Sequence, residues 1–390
     1  MKQVKKTALM ALASLLLSGG VAEAKGEAKI WKEYEKAERR GEPSTLLNYS
    51  YAGYRHAEVG VPDVDHKIFN VQDFGAVAND HISDREAFLK AIEAAEAHGS
   101  GVIFFPRGRY LFNTKADPCE PIEIKGSNIV IRGEGSGPDG SEIFMQQPFR
   151  APNPNEKWTA PILISFNGKG YNNKLADVVA DSAKGSYSIQ VSDASAINEG
   201  DWVTLRLSNN DPKVVASELS PYEVGKGWSG MEYIGLQVYD YHLVTKVKGN
   251  VVTFKEPLMR QVAKSEKWFV QEFNHIEEVG VEDIAFVGDF QDEFNHHADD
   301  LHDGGWKLLD MKGVVNSWVR RCRFTDVSAA ATVRQSANVS IYDSSVTGNI
   351  GHHAVSADAS SRIFIGAIHD APAQWHTSGI TKHTVGVVIC

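Results

Sequence analysis

Eight of the fourteen histidines of this 390-residue chain lie in its last hundred residues. Five fall in the stretch GNIGHHAVSADASSRIFIGAIHDAPAQWHTSGITKH, residues 348–383, and His296, His297 and His302 precede them. Imidazole suits three tasks: it holds a metal, accepts a proton near neutral pH because its unperturbed pKa is about 6.5, or bonds a backbone group at a corner. Nearby Lys307 and Arg334 could neutralise a carboxylate without a metal. Together the types point to removal of a proton from carbon beside an acidic group, with His353 or His376 as the base and the neighbouring histidine, His352 among them, or a tyrosine as the acid.

The elements that must position these groups are short β runs. VEDIAFVG, SWVRRCRF, NVSIYDSSV and SRIFIGAI repeat one another, and Phe324, Val346 and Ile368 recur at 22 residues (346 − 324 and 368 − 346). A period of this size, built from strands too short for a propeller blade, predicts a parallel β-helix. At about 4.8 Å per coil, this register stacks Ala331, His353 and Trp375, with His376 one residue off, and sets Arg334 over Ser356. The segment DFQDEFNHHADDLHDGG, residues 289–305, reads as an insertion, after which Lys307 aligns with Ala331 and Asp310 with Arg334. Lys307, Arg334, His352, His353 and His376 are thereby expected along one outer groove.

Upstream, Ser83 and Glu86 form a capping box before Phe88, Leu89, Ile92 and Ala95, and Gly99 marks the end of that helix. Residues 178–262 alternate like antiparallel strands and read as an inserted β subdomain. The expected organisation is 1–24 leader, 25–65 extension, 66–150 cap and first coils, 151–270 inserted β subdomain and connections, and 271–390 later coils. The chain stops at HTVGVVIC, inside an expected strand, which reads as truncation because solenoids need covered ends.

MKQVKK, an apolar TALMALASLLL and Ala22-Glu23-Ala24 have the form of a secretory signal peptide cleaved after Ala24, giving a secreted or periplasmic protein with no membrane span in the mature chain. Removing Lys2, Lys5, Lys6 and Glu23 takes the net charge from −10 to −12, so nucleic acid is excluded as an expected partner. An acidic polymer remains compatible if basic groups line one groove. Cys119, Cys322 and Cys390 make no disulfide framework or zinc pattern.

NVQDFGAVANDHISDREAFLKAIEAAEAHGSGVIFFPRGRYLF, followed by IVIRGEGSG, resembles the N-terminal signature of the pectate-lyase superfamily. That resemblance implies a secreted right-handed parallel β-helix acting on polysaccharide. In the signature Asp73, Asp80 and Asp84 read as turn and cap residues. The expected activity is a polysaccharide lyase on a uronic-acid-containing chain, with Arg334 and Lys307 on the carboxylate and Trp306, Trp375 and Arg320 holding substrate.

Two other readings stay open. GHHAVS is distantly like the GHG motif of polygalacturonase-like glycoside hydrolases, which need two carboxylates, although His353 replaces the middle glycine. A noncatalytic carbohydrate-binding β-helix would instead use Trp306, Trp318 and Trp375 as platforms. No cofactor is required by the sequence. Calcium could sit on Asp299, Asp300 and Asp303, but a solvated lid is the simpler reading of that acidic segment.

Overall fold

A computed structural model describes residues 28–40, 46, 48–225, 227, 230–381 and 384–390. The expected leader and its cleavage site lie outside these residues. The chain forms two compact units, residues 1–47 and 48–390. The first contributes a helix, Lys29–Arg40, with Lys29–Glu33 and Glu35–Arg39 pairs at i,i+4. No helix among the described residues is long and apolar enough to cross a membrane.

The second unit is an all-β, right-handed parallel β-helix whose coils run over three faces, the hand that parallel crossovers take. One coil uses Gly101–Phe105, Gly108–Phe112 and Ile122–Ile124, and the next uses Ile129–Gly133, Ser141–Met145 and Ile164–Asn167. Later coils add Lys307–Lys312, Ala329–Arg334, His353–Asp358 and His376–Thr381 to the third face. Inside, aliphatic side chains stack coil upon coil: Ile103, Ile131, Val281, Val319, Ile341 and Ile365 form one such ladder on the first face. Alternation of inward and outward residues along each strand leaves every second position for the outer surface.

Helix Arg85–His98 covers the N-terminal end of this stack by burying Phe88, Ala91, Ile92 and Ala95. Phe88 meets the rings of Phe105 and Phe112 at 5.2 and 5.8 Å. The helix stops at Gly99, whose φ of 86° favours glycine. Its start differs from the expected capping box. Asp84 is the N-cap, and its carboxylate bonds the Val77 and Leu111 amides, while Ser83 Oγ accepts from Arg85 N. Asp80 accepts from Ile82 N, so both aspartates fix turns.

Between the second and third of these coils the chain leaves to build a six-stranded antiparallel sheet, from Gly170–Asp177 to Phe269–Asn274. The sheet has its own core, including Val203, Leu205, Val252, Trp268 and Val270. Ile164–Asn167 belongs to the third face and precedes the first strand of this sheet.

Register follows the expected period only in part. Phe324 pairs with Val346, but Val346 then pairs with Asp370 and Ile368 with Ser344. Lys307 pairs with Ala329 rather than Ala331, Asp310 with Thr332, Lys312 with Arg334, and Arg334 with Asp358 rather than Ser356. The cause is corner length: the steps along one column, 307 to 329, 329 to 353 and 353 to 376, differ by one or two residues.

Candidate active site

Those unequal steps still bring Lys307, Ala329, His353 and His376 into one column on the outer surface of the third face. The next outward column is Ser165, Asp310, Thr332, Ser356 and Gly379, and the one after it contains Asn167, Lys312, Arg334 and Asp358. The structure therefore collects Lys307, Arg334, His353 and His376 on a common surface.

The cationic end is a cleft of about 220 Å³ lined by Lys307, Lys312, Arg334, Trp158 and Glu123, among others. Its floor is Asp310, fully buried, which accepts from Ser165 Oγ, Thr332 Oγ1 and Arg334 Nε at 2.9 Å each and pairs with Arg334 Nη2 as well. A two-point pairing of this kind fixes the plane of the guanidinium. Lys307 lies along Gly304, where a Cβ would come within 2.6 Å of its Cε, and its ammonium donates to Trp158 O at 3.2 Å. Burial pushes that ammonium down to about 8, and the Arg334 charge adds to the effect.

The imidazole end continues the same column. His353 stacks on His376 with centroids 4.9 Å apart, and His352 lies 4.0 Å from His353 and 5.2 Å from His376. The His353 ring occupies space above Gly379, where a Cβ would fall 2.8 Å from its Cδ2. Burial lowers His352 to about 4 and His353 to about 3, the latter helped by the nearness of His352, His376 and Lys307, and His376 is lowered by burial and then by His296 and His297. These rings are neutral at ordinary pH.

The insertion 289–305 folds onto this end. His296 lies 5.1 Å from His352, 5.4 Å from His376 and stacks on Trp375 at 5.0 Å, while Phe294 packs between His352 and Trp375. Its aspartates each turn to different partners. Asp299 accepts from Leu301 N, His302 N and His302 Nδ1; Asp300 accepts from Ala151 N and faces Arg150; Asp303 accepts from His297 Nδ1 at 2.9 Å.

Two expected substrate contacts are not in the groove. Trp306 is 6% exposed and belongs to the interior of the β-helix, since the chain turns inward as the insertion ends. Arg320 projects from the first face and is 4% exposed, bonded to Glu282 Oε2 at 2.7 Å and to Pro62 O and Asp63 Oδ1. Trp318 is fully buried beside it. Trp375 is 56% exposed and lies one residue outside the expected column, since His376 rather than Trp375 pairs with His353. Lys312, Asp310 and Trp158 were missed; the alternation in KLLDMK turns Asp310 and Lys312 outward together and could have revealed the first two.

The class these features define is a parallel β-helix carrying an open polar groove on one outer face. Residues 68–198 match the family described as rhamnogalacturonase A/epimerase, pectate lyase-like. Over 69 residues the chain is 35% identical to mannuronan C5-epimerase AlgE6 of Azotobacter vinelandii, covering 18% of this chain and 8% of that one. Alginate lyase 7 of the same organism is also 35% identical over 69 residues, with the same 18% and 8% coverage. The chain thus spans a small part of the length of either relative. Among solved structures, tailspike gp49 of Pseudomonas phage LKA1 aligns over 82% of this chain and 55% of its own, at 15% identity and a TM-score of 0.48. The A-module of AlgE6 aligns over 77% and 57%, at 11% identity and a TM-score of 0.32. In its matched N-terminal segment and its strand architecture the chain is similar to the pectate-lyase superfamily.

Proposed function

We propose that the protein is an exported polysaccharide lyase, secreted or periplasmic, that cleaves a uronate-containing chain by β-elimination in the groove of the third face. The observation that carries this reading is the single outer column from Lys307 through His353 to His376, flanked by outward Arg334 and Lys312. Two relatives are named for mannuronan and alginate, which are uronate polymers, and that agrees with a cationic groove.

In this reading the uronate carboxylate lies against Arg334 and Lys312. Arg334 is held ready by Asp310, so little ordering remains when substrate arrives. Lys307 in its amine form takes the C5 proton, the electron pair forms the C4–C5 double bond as the C4–O4 bond breaks, and the new ammonium returns the proton to O4. Lys307 replaces His353 as the base because a group poised near the working pH combines availability with basicity, whereas an imidazole pushed down to about 3 is available but a weak proton acceptor. Trp158 and Trp375, both exposed, would bracket the polymer at the two ends of the groove.

Hydrolysis is disfavoured because it needs two carboxylates across the bond, and Asp310 has its oxygens engaged by Arg334, Ser165 and Thr332. Pure binding loses two of its three tryptophan platforms to the interior. Return of a proton to C5, in place of loss of O4, would turn the same groove to epimerisation, the activity for which AlgE6 is named.

The test is incubation with polymannuronate, polyguluronate, polygalacturonate and glucuronate polymers while following the ultraviolet absorbance of unsaturated uronate. Absorbance should rise with at least one polymer. New reducing ends without that absorbance would overturn elimination.

A further inference from the structure

The insertion and the last two coils of the third face meet at a group of donors that structural bonding does not explain. Nε2 of His296 and Nε2 of His352 are buried and have no hydrogen-bond partner in the protein, and neither has Asp303 Oδ1 close by. Leaving such an atom buried and unpaired is unfavourable. His352 is only 8% exposed, so its orphan nitrogen is aimed into the cluster rather than at solvent.

One ligand atom each from His296, His352 and His376 lie within 4.8 Å of one another, and a second group, His297, Asp303 and His352, overlaps the first through His352. Nitrogens bound to one zinc ion at about 2.0–2.1 Å stand about 3.4 Å apart in tetrahedral geometry, so small ring rotations close the site. Asp303 bonds His297 Nδ1, the arrangement of a carboxylate that orients an imidazole beside a metal. Neutral imidazoles select borderline transition metals, and calcium would need the oxygens that Asp299 and Asp300 spend elsewhere. The three histidines come from the insertion, from the corner before His353–Asp358 and from the start of His376–Thr381, which is why no metal-ligand spacing shows in the sequence.

We propose that His296, His352 and His376 bind one divalent transition-metal ion of the zinc class, with the Asp303–His297 pair as its acidic neighbour. The ion ties the insertion to two successive coils and leaves a fourth coordination position open. This site does not depend on the elimination reading, since Lys307 and Arg334 are not among its ligands.

The experiment is isothermal titration of untagged, chelator-stripped protein with Zn²⁺ alone and with Ca²⁺ alone, joined to the visible spectrum of the Co²⁺-loaded chain. One Zn²⁺ should bind per chain, Ca²⁺ should give no heat, and Co²⁺ should give the intense bands of a four-coordinate ion. His296→Ala, His352→Gln and His376→Ala should each weaken Zn²⁺ about tenfold or more, with circular dichroism unchanged, and Lys307→Met should bind Zn²⁺ as the wild type does. The proposal is overturned if Zn²⁺ and Co²⁺ fail to bind at micromolar concentration, or if the triple variant keeps the wild-type affinity. Zn²⁺ binding without attack on any polymer would leave the metal site standing and remove only the lyase reading.

Discussion

The molecule contains two clusters of imidazoles with acidic neighbours, and they are opposites. At the root of the inserted sheet, His56, His242, Asp240, Glu256 and Arg362 are all buried. There Glu256 receives His56 at 2.5 Å and His242 Nδ1 at 3.1 Å, while Asp240 faces His242 Nε2 at 3.0 Å and Arg362 Nη1 at 2.9 Å. Burial alone would raise Glu256, yet Arg362, His242 and His56 hold it well below the usual carboxylate range. Burial alone would lower His242, yet Asp240 and Glu256 raise it. In the groove burial dominates and the rings are neutral. Buried nitrogens without a hydrogen bond occur in both clusters, His242 Nε2 and Arg362 Nε at the root and His296 Nε2 and His352 Nε2 in the groove, but at the root two carboxylates, Asp240 and Glu256, tie the cluster together. Paired charges hold a structure together, whereas neutral imidazoles gathered at a groove are free to take a ligand.

The comparison breaks most sharply at Glu256. Glu256→Gln removes the charge that Arg362, His242 and His56 surround, and should lower unfolding free energy by about 3–5 kcal/mol, measured by denaturant titration, with groove chemistry intact once folded. Next in size, Lys307→Met should reduce elimination by about 10²–10⁴-fold without loss of thermal stability, because an ammonium kept in a half-buried place is itself unfavourable.

A pH series sharpens the contrast further. Lys307 is lowered to about 8, so its amine form grows as pH rises, and kcat/KM should climb through about pH 8 and then level. Glu256 is depressed, so its contribution to stability is present above its unfolded pKa near 4.5 and is lost as pH falls below it. The smallest effect is at His352. In chelator, His352→Phe should leave the melting temperature unchanged or slightly raised, because burial keeps that ring neutral and its Nε2 is unpaired, whereas His242→Phe should lower it by many degrees, because His242 lies between the carboxylates of Asp240 and Glu256.

How far the sequence could be read depended on the distance over which each feature is determined. The capping helix and the short glycine-separated strands are local, so they and the β-helix were legible. The column through Lys307, His353 and His376 was legible because a coil is one repeat, even though corners of unequal length shifted Ala331, Ser356 and Ile368 out of register. Arg320 was misplaced because the segment at Val61 to Asp63, 257 residues away in the chain, returns over the first face and covers it. Trp306 was misplaced because period cannot tell inward from outward at the end of an insertion. The imidazole cluster was visible as composition, but its His296 ligand comes from the insertion, and the fold of such a segment follows from its contacts rather than from its own pattern.

The most direct measurement follows the C5 proton of a uronate polymer by nuclear magnetic resonance in heavy water during turnover. The H5 signal should disappear with the wild-type protein and persist with Lys307→Met. New chain ends with H5 retained, or loss of H5 undiminished in Lys307→Met, would contradict the assignment of the groove.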